Sequence, residues 1–188
     1  LDMNRLFGEP AVGESGRVSQ HLATRSADVE LTTHRVHGPD IEWRRVLVEP
    51  LVLAVGLAHP LASRDEVSLS EVASEPFIMR RAPSGMRGQT LDLCHAAGFE
   101  PEVELEADDL LTVRGLVAAG LGVAVVPAMG LPAPTTFARS RLLPIVDAGA
   151  HREVGVAWVR GRPLLPSGEA FRHFVLADGA MDAHAHHE

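Results

Sequence analysis

Apolar residues recur along this chain in two periods, and the clearest stretch is 108–127. There Leu110, Val113 and Val117 fall at i, i+3 and i+7 with Leu116 beside them, the stripe of an amphipathic helix. Asp108 or Asp109 precedes the stripe and can accept hydrogen bonds from the open N–H groups of the first turn. Gly120 follows the last periodic residue, where a left-handed residue commonly ends a helix. Gly122 permits a close return of the chain. Val123 to Val126 is then an apolar run without polar alternation, closed by Pro127. Such a run fits a strand covered on both faces, as in a parallel sheet between helices. The stretch predicts the second half of a βαβ unit.

The rest of the chain gives weaker signals. Residues 1–27 are polar, with Gly8, Pro10, Gly13 and Gly16, and only Val18 and Leu22 hint at a helix after a frayed strand. Val29-Glu-Leu-Thr-Thr33 alternates as a half-exposed strand, followed by a polar loop at 34–39. Val46 and Leu47 lead into Leu51-Val-Leu-Ala-Val-Gly56, a strand ended by His59-Pro60. Ser68 and Glu71 have capping-box spacing before a short helix carrying Leu69 and Val72. Phe77-Ile-Met79 is a strand, Ala82-Pro-Ser-Gly85 a turn with Ser84 as the cap, and Leu91, Cys94 and Ala97 share one helix face closed by Gly98. Val103-Glu-Leu105 is the next strand. Residues 77–126 thus read as βαβαβ, parallel and right-handed in its crossovers. A Pro-rich link (Pro132, Pro134), two strands at 142–146 and 154–159, a helix over 167–177 and a loose His-rich tail at 178–188 complete the chain.

Composition narrows the partners. The chain has 188 residues, 46% of them hydrophobic and 22% charged, which fits one ordinary globular domain or two small ones. A formal charge of −8 leaves no basic face for phosphate neutralisation, so this chain by itself is not expected to bind DNA. Aromatic residues are 4% with no Tyr, so base or sugar stacking is not the main business. The single Cys94 excludes an internal disulfide and fits a reducing, cytoplasmic compartment. No apolar run reaches the roughly 20 residues that span a bilayer. The first residues show neither a signal peptide nor an initiator Met, so Leu1 is expected to lie inside a longer protein.

Taken together, Leu51-Val-Leu-Ala-Val with His59-Pro-Leu-Ala62, Leu69-Ser-Glu-Val72 before Pro76-Phe-Ile78, Gly98-Phe99 and Leu116-Val-Ala-Ala-Gly-Leu-Gly-Val-Ala-Val-Val-Pro127 form an ordered series. The series resembles the effector-binding domain of LysR-type transcriptional regulators over residues 28–177. That resemblance implies an α/β fold like that of type II periplasmic binding proteins, with two Rossmann-like subdomains and a cleft between them. One subdomain would be 1–75 with 150–177, the other 76–149. It also implies a homo-oligomer of antiparallel subdomains, a small-molecule effector, and DNA contact only through an N-terminal helix-turn-helix that this chain lacks. The family's opening strand and helix of the first subdomain are likewise expected to be missing.

Candidate chemistry is sparse. Ser84-Gly85 at a helix start offers backbone N–H groups and a positive dipole end, suited to a carboxylate, although the same residues serve equally as a plain cap. Thr32 and Thr33 end a strand, where parallel sheets place ligands; exposed strand-end threonines are the simpler reading. A small anionic effector would then lie between Thr32-Thr33 and Pro83-Ser84-Gly85-Met86, with Met86 and Pro127 as apolar contacts. Asp108 fits a cap better than a ligand partner. His34 and His37 have no third ligand, and His184, His186 and His187 lie in the tail, so neither a metal nor a cofactor is expected. Cys94 on an apolar helix face reads as a core thiol. Nucleophile elbows, dinucleotide fingerprints and P-loops are absent, so no catalytic set assembles and an enzyme is not expected. The alternative to a regulator's sensing domain is a solute-binding protein of a transport system on the same fold.

Overall fold

The computed structural model describes residues 14–128 and 139–182. The expected opening strand, the Pro-rich link at Pro132 and Pro134, and His184, His186 and His187 lie outside these residues. Contacts gather the chain into two compact units, one of residues up to 48 with those from 153 on, the other of residues 49–152. Residues 49–75, expected with the first subdomain, gather with the second.

The 49–152 unit is built on apolar strands. Strand β2 (Ile41–Gly56) enters it at Glu49, and its last six residues are all buried. Strand β3 (Phe77–Arg80) pairs in parallel with β4 (Val103–Ala107) across helix α2 (Gly85–Ala96), so the first expected crossover is present. Helix α3 (Leu110–Ala118) ends at Gly120, whose φ is +78°, and leads to β5 (Ala124–Pro127), buried throughout. One expectation changes here. Strand β5 takes its ladder from β2, antiparallel, with Val126 opposite Val52 and Ala124 opposite Ala54; only the bridge between Phe77 and Val123 is parallel. An unbroken apolar run reports burial on both faces but not the direction of its neighbour. Strand β6 (Ser140–Pro144) pairs with the other edge of β2. Phe77, Leu51, Leu53, Val55, Cys94 and Leu143 share one core cluster, while Ile78, Val113, Val117 and Val126 share a second.

The other unit is more polar. Helix α1 (Glu14–Thr24) stands before β1 (Val29–Thr32), where Val18 and Leu22 hinted at a helix although the resemblance implied that the family's opening helix would be missing. Val18 and Leu22 anchor it on Val36 and Ala157. Strand β1 pairs antiparallel with β7 (His151–Val159), which lies beside β2. Strand β2 starts at Ile41, ten residues before the apolar run, because Glu42, Arg44 and Arg45 hide its first half from an apolar-period reading. Helix α4 (Pro166–Asp182) is the last described element. Among the described residues no helix is long and apolar enough to cross a membrane.

Candidate functional site

In the 49–152 unit the parallel strands β3 and β4 end together, with Arg80 opposite Ala107. Chain reversals beyond the carboxyl ends of parallel strands are where such sheets present ligand-binding groups. Beyond β3 the backbone turns at once. Arg81 donates its N–H to the Ala107 carbonyl at 2.9 Å, the Ala82–Pro83 peptide is cis, and Ser84 adopts extended angles as the N-cap of α2. The Ser84 position follows the sequence expectation, but its hydroxyl makes no capping bond. Its carbonyl accepts from the Gly88 N–H at 3.2 Å, so the helix is started by the backbone. The 12-residue helix directs its N-terminal dipole end at this corner. Met86, read as an apolar ligand contact, is 6% exposed and packs within the larger core cluster. Pro127 is buried opposite Leu51 at the end of β5.

The acidic residues divide their work differently from expectation. Asp109, not Asp108, caps α3: one of its carboxylate oxygens accepts the Thr112 N–H at 2.8 Å and the other the Thr112 hydroxyl at 2.8 Å. Those two bonds, the backbone one first, hold the Asp109 carboxyl below its ordinary range, and the nearby Arg80 charge lowers it a little further. Asp108 instead accepts from Arg81 Nε at 2.9 Å in an exposed pair of small energetic weight.

Three arginines around this turn carry information that apolar periodicity does not register. Arg87, one turn into α2, donates to the Arg80 carbonyl at 3.3 Å and to Glu106 Oε1 at 2.5 Å, strapping the helix to both strand ends. Arg80 Nε is buried without a hydrogen-bond partner. A pair of cations one residue before a Pro-Ser-Gly helix start, with a third two residues after it, is the sequence signal that marks the corner. The corner therefore combines a helix N-terminus, an uncommitted serine hydroxyl and a guanidinium with unmet donor capacity, a set suited to holding an anion.

The remaining candidates belong to other parts of the chain. Thr32 belongs to the other unit and is 4% exposed. Its hydroxyl accepts from Trp43 Nε1 at 2.9 Å and donates to the His34 carbonyl at 2.8 Å, so it is a structural tie, not an exposed strand-end hydroxyl. Thr33 follows it in a half-buried bend. Cys94 is fully buried, and burial, with Glu100 and Asp147 adding to it, pushes its thiol up to about 12, as a core thiol requires. Among the described residues no group of three or more His, Cys, Asp or Glu could hold a metal ion.

Comparison with known proteins gives a consistent answer. The chain is similar to the HTH-type transcriptional regulator YybE of Bacillus subtilis, at 30% identity over 155 residues, 81% of this chain and 52% of that protein. It is similar also to the dual regulator GltC of the same organism, at 32% over 160 residues, 82% of this chain and 52% of that protein. The chain thus spans about half the length of the curated relatives it matches. In fold it matches the effector-binding domain of QuiR, solved with shikimate, with a TM-score of 0.78 and 22% identity over 90% of this chain and 79% of that one. A family model described as the LysR substrate binding domain matches residues 9–180. With nearly its whole length so matched, and with a parallel β3–α2–β4 corner where such folds present ligand-binding groups, this chain belongs to the LysR substrate-binding domain family.

Proposed function

We propose that the chain is the effector-sensing part of a LysR-type transcriptional regulator and that it binds a small anion at the start of α2. The observation that carries this reading is the corner beyond β3 and β4, where Ser84 and Gly85 open helix α2 and Arg80 ends β3 with its Nε buried and unpartnered. All of these groups belong to the 49–152 unit. The carboxylate of a ligand such as shikimate, the molecule held by the QuiR domain, matches that chemistry. Arg80 supplies a guanidinium donor, and the first-turn backbone of α2 supplies the dipole end. The domain works without catalysis, in the cytoplasm and as a homo-oligomer, and reaches DNA through a separate helix-turn-helix domain. Ligand occupancy shifts the population of oligomer arrangements, which is how a bound molecule alters contact with DNA.

A thermal-shift screen of small carboxylates, followed by titration calorimetry with the best of them, tests the reading. Ser84→Ala keeps the backbone donors and should weaken binding by roughly 1 kcal/mol, the worth of one hydrogen bond. Gly85→Glu places a negative charge at the helix start and should abolish binding while the fold survives. Unchanged affinity in Gly85→Glu would place the anion elsewhere.

A further inference from the structure

Two motifs prominent in the sequence, His59-Pro60-Leu61-Ala62 and Gly120-Leu121-Gly122, play no part in the corner described above. His59 and Pro60 of the first and all three residues of the second line one cavity of about 560 Å³ within the 49–152 unit. Pro76 and Gly122, which also line it, precede β3 and the Val123 bridge, so the cavity sits at the amino ends of these strands while the anion corner sits at the carboxyl ends. Glycine lets the chain close up beneath the cavity. At Gly122 φ is +152°, and a Cβ there would lie 2.4 Å from the Pro76 carbonyl oxygen.

The polar wall is made of three side chains of different character. His59 Nδ1 accepts the Leu61 N–H at 3.2 Å, so the ring proton must sit on Nε2. That Nε2 is buried and has no hydrogen-bond partner; Glu75 Oε1 stands 3.5 Å away, near enough for charge but not bonded. A buried donor left without an acceptor costs free energy that a bound acceptor would recover. Arg139, whose carbonyl accepts the Leu57 N–H at 3.1 Å, adds an exposed cation on the rim. Leu57, Pro60 and Leu121 supply apolar surface.

We propose that this cavity is a second small-molecule site and that it takes a zwitterionic α-amino acid with an apolar side chain. The ligand carboxylate accepts from His59 Nε2 and faces Arg139, its ammonium faces Glu75, and its side chain lies on Leu57, Pro60 and Leu121. A simple anion would be repelled by Glu75, and a simple cation would leave His59 unsatisfied and meet Arg139. This site is independent of the anion corner and stands or falls separately from it.

The test uses the full 188-residue chain with ring-labelled histidine, titrated in NMR with L-leucine, L-methionine, L-valine and L-phenylalanine. The controls are 4-methylpentanoate and isoamylamine, each lacking one of the two charges. At least one amino acid should move the His59 ring signals saturably in the millimolar range, and both controls should bind about tenfold more weakly or less, the worth of one charge-assisted contact. By calorimetry, Arg139→Gln and Glu75→Gln should each weaken that amino acid about tenfold, whereas Gly85→Glu should leave it unchanged. The proposal is overturned if none of the four amino acids gives a saturable shift, if the controls bind equally well, or if binding is insensitive to Arg139→Gln and Glu75→Gln. Loss of binding in Gly85→Glu would assign the ligand to the anion corner and overturn it as well.

Discussion

The two units solve the same folding problem with different materials. In the 49–152 unit, burial is continuous: β5 and the last six residues of β2 are buried at every position. Stability there comes from apolar area removed from water. Among the described residues the other unit has a smaller cluster of Val18, Leu22, Val36 and Ala157, with Ile41, Trp43 and Val159 against it. Its one continuously buried run is 154–158 of β7, and the first eight residues of β2 stay half-buried or exposed. A few tie-points supplement that smaller buried area. Trp43 covers Gly155, bonds Thr32 through its indole N–H and carries Arg35 5.7 Å above its ring, while Arg172 stands 5.0 Å from the Trp158 ring. A unit held by area spreads its stability over many contacts, whereas one held by ties concentrates it in a few. The same strand shows both regimes, changing character at Glu49-Pro50.

The chain carries its own reporters of this contrast. Both tryptophans, Trp43 and Trp158, belong to the tie-held unit, and there is no Tyr; the single Cys94 lies in the area-held unit. With its thiol pushed up to about 12, Cys94 should be inert to a thiol reagent near neutral pH until its unit opens. The largest effect is expected from Gly122→Ala. Positive φ and the Pro76 carbonyl 2.4 Å from the new Cβ leave no relaxed position, so the cost should be about 3 kcal/mol or more. Gly120→Ala, at φ +78° with open space around it, should cost only about 1 kcal/mol. In urea titrations Gly122→Ala should expose Cys94 earlier while tryptophan emission holds its midpoint. Next comes Gly155→Ala, whose Cβ would lie 2.3 Å from the Trp43 ring and 2.6 Å from the Arg44 carbonyl, costing about 2 kcal/mol. It should lower the tryptophan midpoint and spare Cys94. If both probes moved together in both variants, the units would unfold as one cooperative block and the contrast would be void.

The smallest effect concerns acid. The Asp109 carboxyl is lowered in the folded chain, so its contribution is present at pH above its ordinary value of 3.8 and is lost as pH falls through the lower folded value. Asp109→Asn should therefore flatten the acid limb of the stability profile slightly, read by Cys94 reactivity, and leave the tryptophan signal unchanged. A changed acid limb in the tryptophan signal instead would show that the cap is felt beyond its own unit.

How much of this was legible in the sequence follows the same division. Helix α3, the left-handed Gly120 and β5 were readable because burial and backbone geometry leave periodic and glycine signatures. The first half of β2 was not, since Ile41 and Trp43 are followed by the exposed pair Arg44 and Arg45, which breaks the alternation of a strand. Helix α1 was faint because only Val18 and Leu22 mark its buried side. At the candidate site, the position of Ser84 as N-cap was legible from the Pro-Ser-Gly turn, but the choice of Asp109 over Asp108 as the α3 cap was not. Two adjacent aspartates differ only in which one the strand end turns toward the helix. The Arg87–Glu106 strap joins residues of two different elements, and no local period can announce such a pair.

The buried ion pair of Glu49 and Arg152 has a consequence for how this protein can be rearranged. Two nitrogens of Arg152 meet Glu49 Oε2 at 2.7 and 2.6 Å, and the Leu51 N–H bonds the Ala150 carbonyl at 2.9 Å. The chain therefore enters and leaves the 49–152 unit at one point, like an insertion whose two ends are clasped. A gene segment with that property is a cassette: it can be excised whole, or reopened at another surface loop once a short linker joins its ends.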